Sequence, residues 1–428
     1  MQNLILSLIV VFTLSSCLSD TATFTDTSKD DSINLFRMMN EAHYAFEQQN
    51  YPFYLFKMKT ICDIAPEFPY FIFEKAKAHL VNNQIEACLD ELAKLVALDS
   101  PMSLRIETDP VFQVLESNSR FQGIIANIDK EQKPIVNSEK DYDLLAKKGR
   151  YSPIMYNPTS KSLMISLSGK TVRNTQDSVF TDFIKYEQHN INGIYDLAID
   201  KSTNNLWASV MVSDSIKKTQ YSAVCQFNST TGKLIKSFVL NDNSNHAFTH
   251  LTIVNGDIYI TDCVFKIPSQ LQNNELYVIR QSSNGVYKKI EPFVTSHLLQ
   301  IPNSITSDAQ NLYIAMQYMG VFKINIDTKT IKRVTPNENL TLTGITNLEY
   351  YNGHLIAVQP DILGGIFKYK LEGDNVVKRT TIERYHPMFN LPSFSVIVED
   401  DLYYIADKKL GEDEVLKTVT ILKTKLTN

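Results

Sequence analysis

The chain has 428 residues and a formal net charge of −5, and Asp, Glu, Lys and Arg together make up 21% of it. No block of five or more basic residues occurs, which argues against nucleic acid or a charged membrane surface as an electrostatic partner. A chain of this length exceeds an ordinary single domain, so we expect two folded domains.

Residues 1–17 have the pattern of an export signal. The apolar stretch from Leu4 to Leu14 is too short to span a bilayer as a mature helix, and two serines precede Cys17. The segment resembles the lipobox of bacterial lipoproteins, in which the cysteine becomes the acylated first residue. The resemblance implies a lipid anchor at Cys17 and a place in the cell envelope, for which we expect the outer membrane.

Residues 18–31 are rich in Ser, Thr and Asp and poor in apolar side chains. Such a segment cannot bury enough surface to fold, and we interpret it as a tether. Residues 130–148 are also polar and contain several lysines, and we interpret them as the linker between two domains.

Residues 32–129 have apolar side chains at helical spacing, and the pattern repeats after 34 positions, so that Ala42 matches Ala76 and Ile61 matches Leu95. This period is typical of paired antiparallel helices that stack into a solenoid. The segment resembles tetratricopeptide repeats, and the resemblance implies a helical domain that docks protein partners.

Residues 149–428 change to short β-branched and aromatic runs separated by Asn-Gly, Thr-Gly and Asp-Asn turns, a pattern typical of antiparallel hairpins. One phrase recurs six times and predicts where the second strand of six sheets begins: Ser162, Asn205, Asp257, Asn311, His354 and Asp401. The intervals of 43 to 54 residues suit one four-stranded sheet each. The predicted fold is therefore a short helical-repeat domain followed by an all-β six-bladed propeller.

Three phrases carry a resemblance to a known propeller family: residues 195–200 leading to Leu206 and Trp207, residues 257–262, and residues 302–305. The chain is similar there to the gluconolactonase and senescence-marker family of six-bladed propellers. Members of that family that open lactone rings hold a divalent cation on the propeller axis with carboxylate and Asn side chains. The resemblance thus implies calcium or zinc as a cofactor and a hydrolytic activity.

Aligning the six repeats places one residue of each at the axis. These axial residues are Ser152, Tyr195, Thr249, Asn303, Thr346 and Ser393. Only Asn303 is a ligand type of the active family members, so it is the candidate metal ligand. A ring of hydroxyl groups without a carboxylate makes a poor site for a hard cation.

The next position along each strand offers Asp196, His250 and Asn347. A one-residue shift turns a strand side chain to the opposite face, so these residues reach the axis only in the other register. Asp196 and His250 are the candidate catalytic residues in that register, as ligand or base. In the first register, Asp196 and Asn347 cap turns between blades and His250 is a satisfied polar residue.

Two functions remain open. The first is a lipid-anchored envelope protein that binds a small molecule or a protein at a propeller mouth formed by the six axial residues and Asn347, with the helical repeats docking another protein. The alternative is a metal-dependent lactone or ester hydrolase that uses Asn303 with Asp196 or His250. We favour the binding protein, because only the family resemblance supports the hydrolase.

Overall fold

The structure is a computed structural model that describes residues 35–147, 153–167, 170–174, 180–214, 216, 218–242, 244–263, 274–296, 298–337, 339–389, 391–406 and 416–426. The predicted signal with Cys17, the predicted tether and the axial residue Ser152 lie outside the described residues. No helix in the described ranges is both long and apolar enough to cross a bilayer.

A small helical region precedes the propeller, as the 34-residue period predicts. Its first four helices form two antiparallel pairs, and a fifth follows two short 3-10 helices at Pro101–Arg105 and Pro110–Leu115. The five α-helices are α1 (Leu35–Glu47), α2 (Tyr51–Ile64), α3 (Pro69–Val81), α4 (Ile85–Ala97) and α5 (Ser119–Ala126).

Local capping explains where several of these helices begin. The Asn50 side chain accepts a hydrogen bond from the Phe53 amide at the start of α2, and the Asn118 side chain accepts two amide hydrogen bonds at the start of α5. We call the second 3-10 helix and α5 (110–126) the capping segment, and it shares with the second helix pair an apolar core that includes Phe73, Leu92 and Phe112. The capping segment thus closes the end of the short array.

The described residues after the helical region form a six-bladed β-propeller, as predicted. Blades 1 to 3 consist of β2 (Ile154–Asn157), β3 (Ser162–Leu167), β4 (Lys170–Asn174), β5 (Phe180–Lys185), β6 (Ile191–Asp200), β7 (Asn205–Asp214), β8 (Thr219–Asn228), β9 (Leu234–Phe238), β10 (Phe248–Val254), β11 (Asp257–Asp262), β12 (Asn274–Gln281) and β13 (Tyr287–Ser296). Blades 4 to 6 consist of β14 (Pro302–Ser307), β15 (Asn311–Met316), β16 (Gly320–Asn325), β17 (Ile331–Arg333), β18 (Thr335–Pro336), β19 (Asn347–Tyr351), β20 (His354–Gln359), β21 (Gly365–Glu372), β22 (Asn375–Arg384), β23 (Ser395–Val398), β24 (Asp401–Ile405) and β25 (Leu416–Lys425), with β1 (Glu139–Lys147) added to the sixth.

The innermost strands β2, β6, β10, β14, β19 and β23 contact one another in that order and close into a ring. All six predicted starts of second strands coincide with the first residues of β3, β7, β11, β15, β20 and β24. The turn residues and the alternating side-chain pattern of the strands were therefore sufficient to align the blades.

The sixth blade is completed by a strand from the other end of the propeller sequence. β1 pairs antiparallel with β25, and Leu144 faces Val419 in that pairing. The sequence assigned residues 130–148 to a linker, but the structure places 139–147 in the propeller. As the outermost strand of the sixth sheet, β1 covers the edge of β25 and ties the two ends of the propeller sequence together.

The helical region packs directly on blades 4 and 5. Phe68 and Phe71 contact the Tyr318 ring, with centroids 5.0 and 5.7 Å apart, and the Ser100 hydroxyl donates to the Ile362 carbonyl at 2.8 Å. One apolar core runs from the first helices into these blades. The helical region and the propeller therefore share a continuous interior.

Candidate functional site

Three of the predicted axial residues lie at irregularities of the innermost strands. In β6 the pairing with β7 shifts between Ile194 and Asp196, which leaves Tyr195 out of register, and in β14 the shift falls on Asn303. In β10 the shift spans Thr249 and His250. Bulges re-aim side chains next to a channel, so they displace these residues from the simple alternation of a strand.

The Asn303 side chain is held by hydrogen bonds to groups of blades 4 and 5. Its side-chain amide donates to the Gln317 side chain and, at 3.1 Å, to the Ile345 carbonyl of the next blade. Gln317 lies in the turn after β15, next to Tyr318, which the helical region contacts. Asn303 lies near the beginning of β14. The beginnings of the innermost strands therefore lie on the same face of the propeller as the helical region. We refer to this side as the mouth face.

The remaining described axial residues carry hydroxyl groups. The Thr249 hydroxyl lies 3.1 Å from that of Thr261, and the Thr346 hydroxyl donates to the Val358 carbonyl at 3.2 Å. Ser393 is only 1% exposed, and its hydroxyl has no partner within the described part of the chain. None of these three axial side chains carries a charge.

Asp196 and Asn347, the residues one position after the axial ones, have the structural role between blades that the sequence analysis allowed. Asp196 accepts the Leu251 amide hydrogen bond at 3.0 Å, and Asn347 accepts that of Ser395 at 3.0 Å. Each contact joins the innermost strand of one blade to that of the next. Ser304 takes the same role between blades 4 and 5 by accepting from Leu348. These side chains therefore fasten adjacent blades.

The structure also brings Asp196 and His250 together, with 3.7 Å between Asp196 Oδ2 and His250 Nδ1. Both side chains are mostly buried, at 18% and 13% exposure. The pair joins blades 2 and 3, whereas Asn303 lies in blade 4 and donates elsewhere. The two candidate catalytic residues are thus adjacent, and Asn303 has separate partners.

Glu349 is a channel residue that the sequence reasoning missed. It lies on β19 of blade 5, opposite Asp196 of blade 2 in the ring of six. Burial, with a contribution from the negative charge of Asp196, raises the pKa of Glu349 to about 8. A single glutamate among the aromatic residues of β19 is the signal that could have marked it.

A second missed cluster surrounds His246, on the mouth face of blade 3. Its Nδ1 lies 2.7 Å from Asp262 and its Nε2 lies 2.9 Å from Asp242, so both ring nitrogens are occupied. Burial lowers the pKa of His246, but the hydrogen bonds to Asp262 and Asp242 outweigh it, and the net pKa is raised. This arrangement stabilises an imidazolium ion and leaves no free nitrogen for a general base.

The described residues do not fit the divalent cation that the family resemblance implies. Among them, no three His, Cys, Asp or Glu side chains are grouped so that they could hold a metal ion. Both oxygens of Asp196 accept amide hydrogen bonds, from Leu197 and Leu251, and the neutral Asn303 supplies no charge to offset that of a cation. A hard cation needs several converging oxygen ligands with ionised carboxylates.

Comparison with known proteins gives no family assignment. No protein-family model and no curated protein matches the chain. Among solved structures, the chain is similar to the crystal structure of the computationally designed Ika8 protein, with a TM-score of 0.38 and 10% sequence identity. The match covers 64% of this chain and 83% of the designed protein.

Proposed function

We propose that this chain is a lipid-anchored binding protein of the bacterial cell envelope, held at the outer membrane through Cys17. Its ligand, a small molecule or a protein segment, would bind at the propeller mouth. The helical repeats would contact a protein partner. The resemblances to lipoprotein signals, tetratricopeptide repeats and gluconolactonase-like propellers support the separate parts of this proposal.

The observation that carries the proposal is the position of the helical region. It packs on turns of blades 4 and 5 that lie on the mouth face, through Tyr318 and Ile362. A ligand at the mouth would therefore lie beside the helical region. Two binding surfaces on one face are the arrangement expected of a protein that brings partners together.

The chemistry of the mouth suits binding by hydrogen bonds. Apart from the buried Ser393, the described axial residues offer a phenol, an amide and hydroxyl groups, and most of these groups also contact the protein around them. Polar groups held in place in this way give orientation and specificity to a ligand at low entropic cost.

Photo-crosslinking in intact cells tests this proposal. A photoreactive amino acid replaces Tyr195 at the mouth in the full chain, and a control chain carries it at Ile235, which is 52% exposed on the outer strand β9. We expect a discrete adduct from position 195 and none from position 235. Equal labelling at both positions, or no adduct at 195, would contradict binding at the mouth.

The second candidate function is a hydrolase, favoured by one observation, the proximity of Asp196 and His250. In that case, turnover of lactone or ester substrates would be lost in Asp196→Asn and His250→Gln variants that remain folded. The binding proposal expects no turnover in the wild-type chain. Sustained wild-type activity that both substitutions abolish would favour the hydrolase.

A further inference from the structure

The first helix pair carries aromatic side chains on its outer surface as well as in its core. Tyr54, Met58 and Ile61 of α2 are fully buried on the inner side. On the outer side, Phe53 and Phe56 are 41% and 61% exposed. A helix that is apolar on opposite faces is expected to be covered on both.

Tyr44 of α1 extends this surface across the seam between the two helices. Lys57 of α2 forms an ion pair of 2.6 Å with Glu41 of α1 at the seam. Tyr44 lies one turn after Glu41 and Phe53 one turn before Lys57, so the antiparallel pair puts them at the same level. Tyr44 is 65% exposed. We call Tyr44, Phe53 and Phe56 the aromatic patch.

Two rings of the patch, those of Phe53 and Phe56, lie side by side. Phe53 and Phe56 are nearly parallel, with centroids 6.3 Å apart and an interplanar angle of 27°, and the Lys57 ammonium lies 5.1 Å from the Phe53 centroid. Aromatic rings beside a lysine whose stem lies along apolar surface suit the boundary between lipid headgroups and acyl chains.

We propose that the aromatic patch rests on the phospholipid bilayer to which the chain is anchored. This inference depends on the proposed lipid anchor at Cys17. That residue precedes the first residue of α1 by 18 positions, a span of at most about 65 Å when fully extended. The first helix pair is therefore the described part of the chain that lies nearest to the anchor in sequence.

A short connection makes even a weak contact effective. An anchor within this distance keeps the patch at a high local concentration relative to the bilayer, so modest apolar burial suffices for contact. The chain has no basic block, so the contact rests on aromatic burial and does not require anionic lipid. The bilayer thereby orients the helical region with its first pair towards the membrane.

Fluorescence quenching by brominated lipids tests the contact. The full lipidated chain carries Phe56→Trp and is reconstituted in phosphatidylcholine vesicles with or without brominated acyl chains. Trp207, the only natural tryptophan, is fully buried and supplies a constant background. The matched control is Val114→Trp, at a 73% exposed apolar position in the capping segment. Tyr44→Trp provides a second reporter in the patch.

We expect brominated lipid to remove most of the added emission of Phe56→Trp and Tyr44→Trp while leaving that of Val114→Trp unchanged. Flotation of the same vesicles reports the anchor separately, with Cys17→Ser as its control. A chain that floats but shows no quenching at positions 44 and 56 would overturn the patch contact and leave the anchor intact. A wild-type chain that fails to float would overturn both. An emission shift of Phe56→Trp that depends on protein concentration and not on lipid would assign the patch to a second copy of the chain instead.

Discussion

Arg384 of β22 and Asp99, which follows α4, form a bidentate ion pair between the propeller and the helical region. Arg384 Nη2 lies 2.9 Å from Asp99 Oδ1, while Nη1 donates to the other carboxylate oxygen. Arg379 on the same strand also donates to Asp99, at 3.3 Å. The two arginine side chains are only 11% and 16% exposed, so one carboxylate compensates two largely buried cations.

Asp99→Asn should destabilise the protein, because it leaves both guanidinium groups without a counter-charge. Breaking such a pair costs about 2–3 kcal/mol in the free energy of unfolding when the site is partly exposed. Asn also tolerates the left-handed backbone of this position, where φ is 57°. Urea unfolding measures the change. The control Asp90→Asn removes an exposed ion pair with Arg120 and should leave the urea midpoint unchanged. Equal effects of the two substitutions would show that the Asp99 ion pair contributes no more to the free energy of unfolding than an exposed ion pair does.

Glu349→Gln should stabilise the protein in alkaline solution. The pKa of Glu349 is raised from 4.5 to about 8, so the folded state holds a proton that the unfolded state releases. Stability from this group is present below pH 4.5 and is lost as the pH rises towards 8. The variant, which stays neutral, should gain about 4–5 kcal/mol relative to the wild type across that range. Unfolding measured at pH 4.5, 6.5 and 8.5 checks this, and a difference that does not grow with pH would refute it.

His246→Gln should show the opposite pH dependence. The pKa of His246 is raised above 6.5, so the pairing of the imidazolium ion with Asp262 and Asp242 stabilises the folded state fully below pH 6.5. That stabilisation is lost as the pH rises through the higher folded pKa. The substitution should therefore cost more free energy of unfolding at pH 6 than at pH 9. The same cost at both values would mean that the histidine is held as a neutral ring.

Much of the fold was predictable because its signals are local. The first residue of each second strand follows from a turn and the alternation around it, and all six predictions are confirmed. β1 was missed because its strand character depends on β25, more than 260 residues later. A polar, lysine-containing segment reads as a linker until its partner strand is known.

The candidate site was less predictable, since it depends on register. The bulges at Tyr195 and Asn303 arise from the pairing of two strands, and one sequence does not reveal them. Their effect is that residues of both registers gather near the channel, where Asp196 meets His250. Glu349 acquires its raised pKa from burial and from Asp196 on the opposite blade, and neither can be inferred from the residues beside it.

Calorimetric titration of calcium and then zinc into the chelator-treated full chain is the most direct test of a mouth made of neutral groups. The account predicts no binding at micromolar concentrations, and the same result for Asn303→Ala. Micromolar binding by the wild-type chain that is lost in Asn303→Ala would contradict it and place a metal centre at the mouth.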